Sequence, residues 1–111
     1  MIVQEVHDTH DGLSIHLSLK NGEATVKVKI VFDPYVAYRN MDESCRASTV
    51  RDHPGGFSET LQVVSDSRFL NWFHSESSGI YDDRDIKHYA VVTDADWIDV
   101  LAEFPPTVSV N

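Results

Sequence analysis

Arg39-Asn40-Met41-Asp42-Glu43-Ser44 places a guanidinium, two carboxylates and a hydroxyl on consecutive or near-consecutive residues. A planar guanidinium offers a forked donor for a carboxylate or phosphate, and paired acids could accept a proton or meet a basic partner. His53 lies downstream in the same polar stretch, and His88 is the histidine of the later Ile86-Lys87-His88-Tyr89 run. Arg39, Asp42, Glu43, His53 and His88 are therefore the polar candidates for a pocket beside the 40–58 loop. A solvated loop with local ion pairs accounts for the same composition without any chemistry.

The other reactive combinations are weaker. Ser44, Cys45 and His53 would need a nucleophile elbow or a family-specific cysteine signature, and neither surrounds them. His7-Asp8-Thr9-His10-Asp11 holds two imidazoles and two carboxylates, but its spacing matches no metal motif and its composition is that of a turn. Gly55-Gly56 is too short for a phosphate loop. The reading is a chain with no assigned catalytic residue, no metal and no cofactor, for which a non-enzymatic role is favoured.

Charge gives a more specific signal. The 111 residues carry 18 acids against 9 bases, a formal charge of -9. Within 76–103, eight acids face only Arg84 and Lys87. Such a field repels nucleic acid and anionic lipid and steers the chain toward a basic protein. Tyr81, Asp82, Asp83, Asp85, Asp94, Asp96 and Trp97 form the candidate partner-binding set, in which aromatics would anchor and acids would attract. The N-terminal Met1-Ile2-Val3-Gln4-Glu5 lacks a basic n-region and an apolar h-region, and no apolar run is long enough to span a bilayer. Cys45 is the single cysteine, which excludes an internal disulfide. A cytoplasmic protein without a membrane segment is the expectation.

The elements that would position these residues are mostly strands. Residues 2–7 form a first strand, and Asn21-Gly22 then closes a hairpin of 13–20 with 23–32. With Asn21-Gly22 as the two turn residues, Lys20 faces Glu23, Leu17 faces Val26 and Leu13 faces Ile30. Leu13, Ile15, Leu17, Val26, Val28 and Ile30 then share the core face. Asp33-Pro34 interrupts the strand, Tyr35 to Tyr38 form another before the polar loop, and Leu61 to Val64 form a short one. A helix over roughly 66–76 has Ser65 as N-cap and Gly79 past its end. Its Phe69 and Phe73 turn inward, while Asn71 and Ser75 turn to water.

Ile86 to Val92 reads as a strand. Residues 97–104 are open between helix and strand, with the alternation of Ile98-Asp99-Val100 favouring strand. Val108 and Val110 would form a final edge strand. The pattern predicts one α+β domain over 1–111: a mainly antiparallel sheet with one or two helices packed on it.

Small size, acidity and this sheet-plus-helix pattern resemble the immunity proteins of bacterial polymorphic toxin systems. Tyr38 to Ser44, Ile86 to Tyr89 and Trp97-Ile98-Asp99-Val100-Leu101 also look like segments of small bacterial proteins. The resemblance implies an inhibitor that occludes a basic toxin or nuclease. It supplies no catalytic residues. The alternatives left open are a small enzyme or ligand-binding domain with its pocket near the 40–58 loop, and a structural module that forms a homodimer through sheet edges.

Overall fold

Alternating apolar residues build two antiparallel sheets that share one core. The computed structural model describes residues 1–48 and 59–110. Its strands are β1 Ile2–Thr9, β2 Gly12–Asn21, β3 Ala24–Phe32, β4 Ala37–Asp42, β5 Leu61–Val64, β6 Lys87–Val92, β7 Asp96–Ala102 and β8 Thr107–Val110. A single described α-helix, α1 Arg68–Glu76, lies between β5 and β6. One sheet runs β1-β2-β3-β8 and the other β4-β7-β6-β5. The expected α+β class and antiparallel sheet are present.

The hairpin forms, but two residues away from its expected register. Leu17 faces Val28, Ile15 faces Ile30 and Leu13 faces Phe32, because Asn21 pairs with Ala24. The two turn residues are therefore Gly22 and Glu23. Only Gly22 takes positive φ, at 67°, the sign pattern of a type II′ hairpin rather than type I′. A slip of two residues preserves facing, since side chains alternate with period two. Leu13, Ile15, Leu17 and Ile30 are accordingly buried, while Val26 and Val28 near the tip are half-buried.

At the opposite end, Gly12 takes φ 103°, and a Cβ there would stand 2.5 Å from the Phe32 carbonyl oxygen. Only glycine lets β2 begin this close to the end of β3. Asp33-Pro34 then ends β3, and the chain crosses to the second sheet.

Inner residues of both sheets interlock in one cluster, with Leu13, Ile15, Leu17, Ile30 and Phe32 against Tyr89, Val91, Ile98, Val100 and Ala102. The other face of the second sheet is covered by α1, where Phe69 packs on Ile86 and Leu101. Strand β7 is thus covered on both sides, which explains why its sequence lacks a clean in-out alternation. Thr93 donates its backbone N–H to the Asp96 carbonyl at 3.0 Å, closing the β6–β7 hairpin and deciding 97–104 for strand up to Ala102.

The helix starts two residues later than its sequence implies. Ser67, not Ser65, is the N-cap, and its Oγ accepts from the Leu70 N–H at 2.9 Å. At the far end, Gly79 N–H reaches the His74 carbonyl and Ser78 N–H the Ser75 carbonyl, the paired bonds of a Schellman motif. Ser78 holds the left-handed position of that motif, at φ 54°, and Gly79 after it is also at positive φ, 77°. Phe69 is buried and Phe73 half-buried, with Asn71 and Ser75 exposed, as the helical spacing predicts. Strand β8 adds to β3 as the expected edge.

Candidate functional site

Asp99 stands at the middle of β7, directly across from Arg39 of β4 and Ala90 of β6. Its side chain points to the helix-covered face and is 1% exposed. A carboxylate in such a place requires partners. Arg39 Nε donates to Oδ2 at 2.7 Å, and Arg46 Nη2 meets the same oxygen at 2.7 Å. His88 Nε2 lies 2.6 Å from Oδ1. His88 Nδ1 in turn lies 2.6 Å from Ser67 Oγ, the same oxygen that caps α1. Arg46 also reaches the Trp97 carbonyl oxygen through Nη1 at 3.4 Å.

Electrostatics favour ionised Asp99. Burial pushes its pKa up, but hydrogen bonds from His88 and Arg39, with the charges of His88 and Arg46, outweigh that and hold it below the usual carboxylate range. Burial draws the Arg46 pKa below the ordinary arginine value, with the Asp99 charge opposing and the Arg39 charge assisting.

Ser67, His88 and Asp99 lie in a chain that resembles a nucleophilic triad, but the arrangement does not present a nucleophile. All three are buried. Whether the Ser67 hydroxyl donates to His88 Nδ1 or accepts from it, that contact engages the serine oxygen. The serine oxygen also receives the helix N–H. Its bonding capacity is committed to holding α1 on the sheet.

Above this buried network is a groove of about 490 Å³ between β4 and α1, lined by Ala37, Tyr38, Arg39, Arg68, Phe69 and Trp72. Arg39 lies with its guanidinium carbon 4.3 Å from the Phe69 ring centroid. Phe69 stacks on Trp72 with centroids 5.8 Å apart and planes 12° apart. Trp72 is 54% exposed, despite its size. Arg68 Nη1 donates to Ser48 Oγ at 3.0 Å.

Of the pocket candidates, Arg39 and His88 are brought together through Asp99. Asp42 is exposed and accepts from the Ser44 N–H and hydroxyl, which lower its pKa. Glu43 opens a short 3-10 turn, Glu43–Cys45. The Glu43 side chain and all of His53 lie outside the described residues. The His7-Asp8 pair diverges, since strand alternation sends the two to opposite faces; His7 meets Glu5 at 2.9 Å and Asp8 accepts from the Tyr35 hydroxyl.

The acidic candidates fall into two groups. Asp82, Asp83 and Asp85 are exposed between α1 and β6, beside half-buried Tyr81. Asp94 is exposed and Asp96 half-buried at the other end of β6, whose six residues separate the groups by roughly 20 Å. Trp97 is buried, its ring 5.1 Å from the Arg46 guanidinium carbon, and is not an exposed anchor.

Around Asp82 to Asp85 the loop is tied down. Arg84 donates twice to Glu103, at 3.0 and 3.3 Å, and covers Tyr81. Ile80 and Phe104, in the two segments that this pair joins, are 74% and 54% exposed.

Arg46, Ser67 and Arg68 escaped the sequence reading as site residues, and Asp99 entered it only as one acid among eight. One signal was present: an acid between Ile98 and Val100, in a run from Trp97 to Ala102 that is otherwise apolar, demands a buried cation. Comparison with protein-family models, curated proteins and solved structures finds no match for this chain.

Proposed function

We propose that this protein is a non-catalytic binding domain that docks a basic protein partner and occludes it, the role of an immunity-type inhibitor. The observation that supports this reading most is the surface formed by the α1–β6 loop and the end of β7. There Asp82, Asp83 and Asp85 stand exposed beside Ile80 and Phe104. Large apolar side chains beside a charged rim are the composition of a recognition patch. The Schellman end of α1 and the forked Arg84–Glu103 pair hold it in shape, which lowers the ordering cost of binding.

Sealing of the Ser67–His88–Asp99 chain favours binding over catalysis. The Asp94–Asp96 end lies outside the proposed patch.

The test is co-expression with basic proteins encoded beside this gene, followed by binding and inhibition assays on the purified pair. Neutralising Asp82, Asp83 and Asp85 together should slow association and flatten its salt dependence. Ile80→Ala with Phe104→Ala should mainly speed dissociation. Loss of inhibition in Asp42→Asn with Glu43→Gln, with the 82–85 variant unaffected, overturns the assignment.

A further inference from the structure

We infer that the outward face of the β1-β2-β3-β8 sheet binds a small organic molecule that carries two or more phosphate groups. A concavity of about 780 Å³ lies there, on the far side of the sandwich from α1, and its size is that of a small-molecule site. Lys20, Lys27 and Lys29, three of the four lysines in a chain of formal charge -9, line it together. Strand pairing is what gathers them. Along β3, Lys27 and Lys29 alternate with Val28 and Ile30 of the core side, so both face outward, with Cα atoms roughly 7 Å apart. Lys20 of β2 faces Thr25 and so stands diagonal to Lys27, at a similar spacing.

The residues between the lysines suit an anion. Ser18 lies across from Lys27 and His16 across from Lys29, while Ser109 of β8 faces Lys29 from the other side. Gln4 Nε2 donates to Ser18 Oγ at 2.9 Å, so the serine keeps its hydroxyl proton for a second acceptor. Ammonium groups serve phosphate as point charges that approach from any direction, and hydroxyl donors complete the bonding of its oxygens. Three like charges at neighbouring positions of one sheet face repel one another, and a multiply charged anion relieves that repulsion. The β1 margin of the concavity has different chemistry. A bulge between Val3 and Glu5 brings Gln4 and Glu5 to the same outward face. Glu5 is held there by His7 at 2.9 Å, and its carboxylate and the Gln4 carboxamide oxygen can accept from hydroxyl or amino groups. Cations at one end and acceptors at the other select a phosphorylated organic molecule over inorganic phosphate.

This site shares no residue with the acidic patch, so failure of either reading leaves the other standing. The probe is ATP, free of divalent metal, titrated into the full chain at low salt and followed by calorimetry and by amide chemical shifts. Binding should move the amides of 16–20 and 25–29, weaken as salt rises and fall on the order of tenfold in Lys27→Gln with Lys29→Gln. Both lysines are exposed, so the double variant should keep the wild-type circular dichroism and the result stays readable. AMP, with one phosphate, should bind more weakly than ATP, and tripolyphosphate, which lacks the organic part, should do the same. Lys87→Gln, away from the concavity, should leave the affinity unchanged, and neutralising Asp82, Asp83 and Asp85 should leave it unchanged or raise it. Absence of ATP binding at low salt overturns the proposal, as do shifts confined to other strands or undiminished binding by the double lysine variant. Tripolyphosphate binding as tightly as ATP removes the organic ligand, and a hexaglutamate peptide binding as tightly makes the face a site for acidic protein segments instead.

Discussion

Arg39 and Asp99 are direct cross-strand partners, and their side chains close a 2.7 Å ion pair on the helix-covered face of the sheet. The pairing ties the edge strand β4 to the doubly covered β7. It also joins the outer groove to the buried network, since Arg39 belongs to both. A charge pair of this kind is costly to break from one side, because the remaining charges stay buried.

Asp99→Ala should therefore destabilise by about 3–5 kcal/mol, leaving Arg46 and His88 without their shared acceptor. Asp99→Asn keeps the shape and one acceptor oxygen and should cost less. Urea unfolding followed by circular dichroism reads both. A loss under about 1 kcal/mol in the alanine variant would mean that the network is not dry.

Stability should also depend on Asp99 through pH. Its folded pKa is depressed below the ordinary 3.8, so ionised Asp99 stabilises the fold fully above that value. The contribution is lost as pH falls from about 4 through the folded pKa, because the unfolded chain takes up the proton first. Wild type should thus lose stability more steeply than Asp99→Asn between about pH 4 and the acid limit of folding. Parallel curves for the two proteins would contradict the charge assignment.

The hairpin shows which parts of the fold were legible in the chain. Period-two alternation over Leu13 to Leu17 and Val26 to Ile30 announces two strands and a common face, whichever turn joins them. Register required one more fact, that Gly22 and not Asn21 takes the left-handed position, and Asn-Gly permits either. The helix cap failed for a similar reason: Ser65 and Ser67 are both good caps, and only the contact with His88 selects Ser67. Asp99 was hidden because sequence spacing cannot bring together residues 39, 46, 67, 88 and 99. Sheet pairing and the helix do that.

The turn can be tested by three substitutions. Gly22→Ala should cost about 1 kcal/mol, since its Cβ meets nothing within 4 Å and only the φ of 67° is strained. Asn21→Ala should be nearly neutral, because Asn21 is the last strand residue. Gly12→Ala should cost more, about 2–4 kcal/mol, as the new Cβ would run into the Phe32 carbonyl. A larger loss at Asn21 than at Gly22 would restore the alternative register.

Tyr35 ties the start of the second sheet to β1 through its hydroxyl, which donates to Asp8. That hydrogen bond, aided by partial burial and the Asp8 charge, pushes the Tyr35 pKa up to about 12. A raised folded pKa means that its stabilisation is present below the unfolded value near 10 and fades as pH climbs toward 12. Ultraviolet titration should show the late ionisation of Tyr35, and Asp8→Asn should lower its midpoint.

Ser67 distinguishes a capping network from a catalytic one. If its Oγ serves only to cap α1 and orient His88, Ser67→Ala should cost about 1–3 kcal/mol, combining a lost cap with a buried imidazole nitrogen left unpaired. Protection of the α1 amides from hydrogen exchange should fall with it, most of all at Leu70, whose N–H the serine accepts. Ser67→Thr, which keeps the hydroxyl, should recover part of the loss. A nucleophilic serine predicts a different pattern: wild type would be labelled by a fluorophosphonate and Ser67→Ala would not. Because Ser67 is buried and already bonded to both the helix and His88, the native protein should stay unlabelled. Stoichiometric labelling of native protein at Ser67, read by mass spectrometry, would reverse the assignment and return this chain to the enzymes.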